Sequence, residues 1–258
     1  GGFNGDGTKS LTPFYLLPSV NLKYDLNSKN SFRFGLSKTY TLPQSKEISP
    51  YQYLGPSFSS QGNPKLKPSD NYNADLKWDF YMSPSELISL GTFYKLIKNP
   101  ISRAYEMNGA GYFSYKNISS QVSVAGIELE IKKNIINMIN SNSDKQSKLS
   151  VGLNASYIYS NMYLNLGGTV PRYSAMEGAS PYIANVDITY DYSWKKLTIV
   201  NSVVFKYVSD KIHTIGTGGF EDVIEEAVTT LDFVSELKVN KHLGVKLKAK
   251  NLLDPAFD

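Results

Sequence analysis

A chain of 258 residues, 41% hydrophobic and with a formal charge of +4, can hold one large domain or two ordinary ones. It contains no run of the roughly 18 to 20 apolar residues that a membrane-spanning helix needs. With no cysteine and two histidines, disulfides, thiolate nucleophiles and Cys-ligated zinc are excluded, and the small charge, mixed in sign along the chain, argues against a nucleic-acid partner. Tyrosine is in excess, at 19 against 12 Phe and 2 Trp, as expected where ring bodies meet an apolar phase and hydroxyls meet water. A membrane barrel and a Tyr-rich soluble sandwich both satisfy that count.

Strict apolar–polar alternation recurs from end to end and predicts strands. Val20, Leu22, Tyr24 and Leu26 are set against Asn21, Lys23 and Asp25, and then Phe32, Phe34 and Leu36 against Arg33, Gly35 and Ser37. Tyr72, Ala74, Leu76, Trp78 and Phe80 oppose Asn71, Asn73, Asp75, Lys77 and Asp79, while Ile127, Leu129 and Ile131 oppose Glu128, Glu130 and Lys132. Tyr182, Ala184, Val186, Ile188 and Tyr190 oppose Ile183, Asn185, Asp187 and Thr189. Leu231, Phe233 and Leu237 oppose Asp232, Glu236 and Lys238, and Val245, Leu247 and Ala249 oppose Lys246, Lys248 and Lys250. About ten strands result, many of them near the roughly 9 to 11 residues of a tilted transmembrane strand. They fall at 18–26, 30–40, 70–81, 86–97, 121–133, 148–160, 181–192, 196–208, 229–240 and 243–253. The stretch NIINMIN, ending at Asn140, is the one ambiguous segment.

The connections alternate in length. Those at 26–30, 82–86, 193–196 and 240–244 are short and polar; those at 41–69, 98–120, 161–180 and 209–228 are long and rich in Gly, Pro, Ser and Tyr. Short turns on one side and long loops on the other are the rhythm of outer-membrane barrels, whose turns are periplasmic and loops extracellular. The second face of the strands carries Asp75, Lys77, Asp79, Glu128, Glu130, Lys246, Lys248 and Lys250. Burying those charges in a narrow barrel is costly, so a wide, wet or plugged lumen is expected. The opening GGFNGDGTKS lacks the apolar core of a signal peptide, and the leader of an exported protein is expected upstream of it.

Several segments carry a resemblance. Gly62-Asn63-Pro64-Lys65-Leu66-Lys67-Pro68-Ser69 is similar to a "GNPxLKPE/S" motif, and Ser37-Lys38-Thr39-Tyr40-Thr41-Leu42-Pro43 to the "SxTxxxP" stretch that precedes it. Val124-Ala125-Gly126-Ile127-Glu128-Leu129-Glu130 looks like "xxGxExE", Gly178-Ala179-Ser180-Pro181-Tyr182-Ile183-Ala184-Asn185 like "GxSPYxxN", and Lys250-Asn251-Leu252-Leu253-Asp254 like "xNLLD". In this order, across nearly the whole chain, they resemble the barrel of the TonB-dependent receptors. The resemblance implies an all-β fold, a transmembrane antiparallel β-barrel of roughly 22 strands closed by an N-terminal plug. Residues 1–258 would then be the C-terminal portion of that barrel, about strands 12 to 21 of roughly 22, with the plug and the last strand outside the chain. It further implies a bacterial outer-membrane location and TonB-dependent uptake of a scarce nutrient of the siderophore, haem, cobalamin or oligosaccharide class. The implied partners are outer-membrane lipid, the TonB complex acting through the N-terminal part, and a small-molecule or glycan ligand. A surface lipoprotein is a further candidate partner.

Candidate residues follow from both readings. Tyr51, Tyr53, Tyr105, Tyr112 and Tyr163, with Phe58, Phe113, Tyr115 and Tyr173, are loop aromatics that offer rigid surface for gripping a ligand. Gly62, Asn63 and Pro64 are read as structural, because the residue before each proline is restricted and Gly62 permits a turn. Gly126, Glu128 and Glu130 either line a permeation path or, preferentially, meet the arginines or backbone amides of the plug, with Gly126 allowing close packing. Asn251 and Asp254 mark the penultimate strand. No Ser/His/Asp arrangement is visible, and paired glutamates on a wet face lack the dry pocket that acid–base catalysis needs, so neither catalytic residues nor a cofactor is expected. The acidic run Glu221, Asp222, Glu225 and Glu226 has no calcium-loop spacing, Asn4-Gly5-Asp6-Gly7 reads as a turn-like fragment, and no metal is expected. The competing reading is a binding, adhesion or signalling barrel without transport.

Overall fold

The computed structural model describes residues 15–55, 59–106, 112–140, 144–165, 170–240 and 242–254; Phe58 and the Asn4-Gly5-Asp6-Gly7 fragment lie outside them. The first third holds β1 (Ser19–Asp25), β2 (Asn30–Thr41), one helical turn α1 (Ser45–Ile48), β3 (Gln52–Leu54), β4 (Ser59–Gln61) and β5 (Ser69–Ser83). Then come β6 (Glu86–Lys98), β7 (Ile101–Glu106), β8 (Tyr112–Asn117), β9 (Gln121–Asn140), β10 (Lys145–Leu164) and β11 (Arg172–Ser174). The chain continues through β12 (Tyr182–Trp194), β13 (Leu197–Val208), β14 (Lys211–Thr214), β15 (Val223–Glu225), β16 (Val228–Val239) and β17 (Leu243–Ala249).

One antiparallel sheet runs in the order β1-β2-β5-β6-β9-β10-β12-β13-β16-β17, with β11 attached to β10. Those ten strands are the ten predicted from alternation. Three strands differ by more than two residues. β9 runs on to Asn140, so NIINMIN is strand, β10 spans Lys145–Leu164 against the expected 148–160, and β17 ends at Ala249, beyond which Asn251 (φ 56) and Asp254 (φ 44) turn the backbone away. Leu252 N–H donates to the Leu231 carbonyl and Asn251 N–H to Asp232 Oδ1, so the NLLD segment folds back on β16 instead of extending β17. Among the described residues β1 and β17 each pair on one side only.

The register sorts the side chains into two faces. Phe32 lies opposite Trp78, Phe34 opposite Leu76 and Leu36 opposite Ala74, while Arg33 meets Lys77 and Gly35 meets Asp75. The apolar face is open. Leu22 (60%), Leu76 (51%), Ile127 (51%) and Leu247 (61%) are all exposed, an area far beyond the scattered apolar residues of a water-bathed surface. On β12 this face carries Tyr182 at one end, Ala184, Val186 and Ile188 between, and Tyr190, Tyr192 and Trp194 at the other. The ten steps from Tyr182 to Tyr192, at about 3.4 Å each and a tilt of about 45°, span about 24 Å, the height of a lipid-facing band between two aromatic girdles.

Tilt is also written in the pairing. The row that starts at Trp78, five residues from the end of β5, passes through Leu90, Leu129, Ala155 and Ala184. It reaches Tyr207, one residue from the opposite end of β13. A row perpendicular to the strands climbs across the band in this way only if the strands are inclined to it. The same stagger carries β9 past the β5–β6 turn, where Asn134 is fastened by Glu86 Oε1 and Ser85 Oγ. At the short-turn end, Lys195 N–H donates to the Asp144 carbonyl and Asn240 N–H to that of Lys196, so successive turns are tied in series.

The glycines of the long strands, Gly35, Gly91, Gly126, Gly152 and Gly244, all fall in the polar-face register. On the apolar face, a glycine would leave backbone bare to lipid, where nothing re-solvates it. At Gly126 the space is taken by the Phe93 ring: a Cβ there would stand 2.4 Å from that ring and 2.9 Å from the Tyr157 carbonyl oxygen. Gly126→Ala is therefore expected to destabilise the sheet by about 1–3 kcal/mol, read as a lower temperature for loss of heat-modifiable migration in intact protein. Adding Phe93→Leu should restore most of the loss; no recovery would mean that the ring is not the obstacle.

Candidate functional site

The polar face of the sheet carries a ladder of alternating charge. Arg33 Nη2 lies 3.3 Å from Asp79 Oδ2, and Lys77 Nζ stands between Asp79 (3.9 Å) and Glu130 (3.8 Å). Glu130 also meets Lys132 at 2.7 Å, and Asp187 stands across Gly152 from Lys132. Asp79 is 2% exposed, a burial that an isolated carboxylate would not accept; Ser89 Oγ donates to it at 2.7 Å, adding a hydrogen bond to the two cations. Gly91 and Gly152 occupy the intervening strands, and Asp187 lies across the place where a Gly152 side chain would be. Glu128 borders a cavity of about 220 Å³ together with Lys77, Ser89, Gly91, Asn154 and Asn185. Unlike Glu130, it has no ion pair or hydrogen bond among the described residues. The Gly126–Glu128–Glu130 run is thus split into three tasks: ring clearance, an open carboxylate and a ladder rung.

Toward the long loops the same face turns apolar. Ile97, Val122, Val124 and Met162 occupy the polar register, yet all are buried, because Ala104, Ile118 and Ile215 from the loops cover them. The loops therefore fold over the charged side of the sheet. β3, β4, β8 and β7 make a four-stranded sheet of their own and β14 pairs with β15, order that the loop composition did not announce. Ile215 bridges to β7, accepting from Tyr105 N–H and donating to the Arg103 carbonyl. Thr217 Oγ1 donates to the Tyr105 carbonyl, and the Tyr105 ring packs edge-on against Phe113 (5.5 Å) and Phe220 (5.1 Å).

The Gly62-Asn63-Pro64 run packs against α1 and β8. A Cβ on Gly62 would meet the Ser49 carbonyl oxygen at 2.4 Å and that of Lys46 at 2.6 Å, so the chain passes α1 at a distance only glycine allows. Asn63 Nδ2 donates to the Tyr115 carbonyl, and Asn63 Oδ1 accepts from Lys65 N–H. Pro64 follows it in the turn that leads to buried Leu66. Asn117 completes the anchor. Its Oδ1 accepts from Lys67 N–H, and its Nδ2 donates to the carbonyls of Lys67 and Asn99.

A second polar cluster joins three loops. Glu177 Oε2 accepts from Arg103 N–H at 2.5 Å; burial pushes the Glu177 carboxyl above its ordinary range, opposed by that amide and by the Arg103 charge. Arg103 Nη1 lies 2.8 Å from His213 Nε2, and His213 Nδ1 lies 3.1 Å from Thr214 Oγ1. A guanidinium can only donate, so Nε2 is the acceptor and His213 is neutral with its proton on Nδ1. Burial, then the Arg103 charge, hold its value below the ordinary histidine range. Arg172 clasps Asp222 through both Nη atoms, raising the guanidinium further, and Asp222 Oδ1 also accepts from Gly216 N–H. Asp222 of the acidic run is therefore an internal clasp, and Glu225 pairs with Lys211 at 2.6 Å.

Beside this cluster lies a cavity of about 370 Å³ lined by Lys46, Tyr53, Ser60, Arg103, Phe113 and Tyr115, in the size range of small-molecule sites. Of the predicted loop aromatics, Tyr53 lines it, Tyr105 packs beneath the loops, and Tyr112 pairs with Glu106 across β7 and β8. Tyr51 stands 73% exposed. Tyr163 points to the apolar face and packs on Tyr173 at 5.3 Å, six residues further along β10 than the Tyr157–Tyr182 pair; it does not line the cavity. Lys46, Arg103 and Ser60 had no signal in the sequence, because only the fold brings β4, β7 and α1 together.

His213 has a depressed value in the folded state, so its contribution is present above the ordinary histidine range and is lost as pH falls through it. Lowering pH from about 7.5 to about 5 should speed amide exchange in 211–217, corrected for intrinsic rates, and His213→Gln should abolish that response. Asn117→Ala removes three hydrogen bonds of about 0.5–1.5 kcal/mol each, and limited proteolysis of the 62–68 segment is expected to accelerate at least about tenfold.

The family model described as "TonB dependent receptor-like, beta-barrel" matches residues 2–252. No curated protein sequence matches the chain. Among solved structures, the copper transporter OprC superposes with a TM-score of 0.64 at 14% identity, over 93% of this chain and 35% of that one. The FrpB iron transporter from Neisseria meningitidis gives 0.60 at 13%, over 94% and 35%. The siderophore receptor PirA from Pseudomonas aeruginosa gives 0.59 at 15%, over 93% and 39%. The likeness at such identities is one of fold, and the chain spans little more than a third of those proteins. This chain belongs to the TonB-dependent receptor β-barrel family, whose members are outer-membrane barrels, and its ten tilted strands are barrel wall.

Proposed function

We propose that residues 1–258 are the C-terminal wall and rim of a plugged outer-membrane receptor that takes up a small-molecule or glycan nutrient under TonB control. The observation that carries this reading is the direction in which the loops fold. They pack on the charged side of the sheet and frame there a cavity with three rings (Tyr53, Phe113, Tyr115) and two cations (Lys46, Arg103). A rim that only displayed loops for adhesion would have no need to build its core on the lumen wall.

On this reading the rim captures the ligand, TonB acts on the plug from the periplasmic side, and the polar wall gives the plug a wet surface to slide on. No bond is made or broken in the ligand. Glu128, open to the lumen beside the ladder, is the carboxylate placed to meet an arginine or backbone amide of the plug. Wall strands beyond β1 and β17 complete the barrel. Siderophore, haem, cobalamin and oligosaccharide are the nutrient classes within reach. The transporters and receptors of similar fold named above support uptake as the general activity, and a surface lipoprotein over the loops is compatible with it.

The test uses the intact gene product in cells with and without TonB, supplied in turn with labelled members of the four nutrient classes. Uptake of one class that disappears without TonB is expected; binding without uptake in both backgrounds would favour the adhesion or signalling reading and overturn this one. For the ligand identified, Tyr53→Ala combined with Phe113→Ala should weaken binding by about 10- to 100-fold, at about 0.5–1.5 kcal/mol per ring beyond area burial. Tyr163→Ala should leave binding unchanged.

A further inference from the structure

Two lysine–aromatic clusters stand on the apolar face at opposite ends of the lipid-facing band. At the loop end, the ammonium groups of Lys38 and Lys98 lie 5.5 Å and 5.3 Å from the centre of the Tyr72 ring. At the short-turn end, those of Lys145 and Lys195 lie 5.6 Å and 5.4 Å from the Trp194 ring. Lys38 is directly opposite Tyr72 across β2 and β5, and Lys98 is opposite Asp70, one outward-facing position further along β5. Asp70 Oδ1 is 3.1 Å from Lys38 Nζ, so the three charges sum to +1. A lysine on a lipid-facing strand ordinarily carries its charge to the nearest water; here two converge on one ring.

Directly beside the cluster is a shallow groove of about 320 Å³ whose open surface is mostly carbon, lined by Pro18, Val20, Leu36, the stem of Lys38 and Tyr72, together with Ser19, Ser37 and Asn73. A cationic pair at the headgroup level and an apolar groove running from it match, in order, the two halves of an anionic lipid. We propose that Lys38, Tyr72 and Lys98, with the groove of Pro18, Val20 and Leu36, form a binding site for a phosphate-bearing glycolipid of the outer leaflet. The phosphate sits between the two ammonium groups and draws Lys38 from Asp70, while an acyl chain occupies the groove. The site rests on the family's outer-membrane location and is independent of what the receptor transports. The Trp194 cluster faces the other leaflet and serves as an internal control.

The test is native mass spectrometry of the intact receptor in mild detergent, with an added bisphosphorylated glucosamine-disaccharide lipid or its dephosphorylated counterpart. The wild type should retain the phosphorylated lipid at least about fivefold better than the dephosphorylated one. Lys38→Gln with Lys98→Gln should remove that preference, Lys38→Arg with Lys98→Arg should keep it, and Lys145→Gln with Lys195→Gln should leave it intact. Unchanged heat-modifiable migration shows that the glutamine variant is folded. Equal retention of the two lipids by the wild type, or undiminished preference in the glutamine variant, would overturn the site. So would displacement of the lipid by millimolar inorganic phosphate, which would mean that the acyl groove contributes nothing.

Discussion

A sheet with lipid on one face and a wet lumen on the other is governed by register. Side chains alternate with a period of two, so a slip of one residue would send the Asp75, Lys77 and Asp79 set into lipid and Leu76 and Trp78 into the lumen. Backbone groups in the band have no water to fall back on, so each must find its partner on the neighbouring strand. Both demands are met by the same pairing: Arg33 against Lys77 and Phe34 against Leu76 are consecutive rungs of one ladder. The charge ladder deepens this commitment. Asp79 is buried beside Arg33 and Lys77, and a shifted β5 would strand it without either cation, at a cost of several kcal/mol.

The loops exploit a place where alternation fails. Val122 and Val124 sit in the polar register but are apolar, as are Ile97 and Met162 on the flanking strands, and together they give the rim a floor on which Ile118 and Ile215 can pack. The rim is consequently continuous with the wall. Arg103, held by Glu177 and His213 from two other loops, reaches the cavity with its guanidinium already oriented.

Strands were legible wherever both faces kept their character, which is why Tyr72 to Phe80 and Tyr182 to Tyr190 were read with the correct face outward. NIINMIN was not, for a local reason. Between Asn134 and Ile136 the register shifts, with Ile136 opposite Leu149 and Asn134 opposite Ser150. The bulge takes up Ile135 and sets two isoleucines side by side, breaking the period-two signal while the strand continues. Asn251 and Asp254 carried a family motif but no conformational label, and only their positive φ shows that the strand has ended. The site was less legible still. Tyr53 and Tyr163 are equally tyrosines in loop-like contexts, and only the fold places one at the cavity and the other on the apolar face.

The glycines bear on what the wall leaves for the lumen. Each long-strand glycine is in the polar register, where Phe93 lies over Gly126 and Asp187 over Gly152. Side chains that lie along the sheet keep the wall thin, and those that lie along it here are the ones that would otherwise project furthest. Lys77, Glu130 and Lys132 are likewise drawn sideways into the ladder by their neighbours. The inner surface is therefore flat, with most of its charges mutually satisfied, and Glu128 is a carboxylate left open on it.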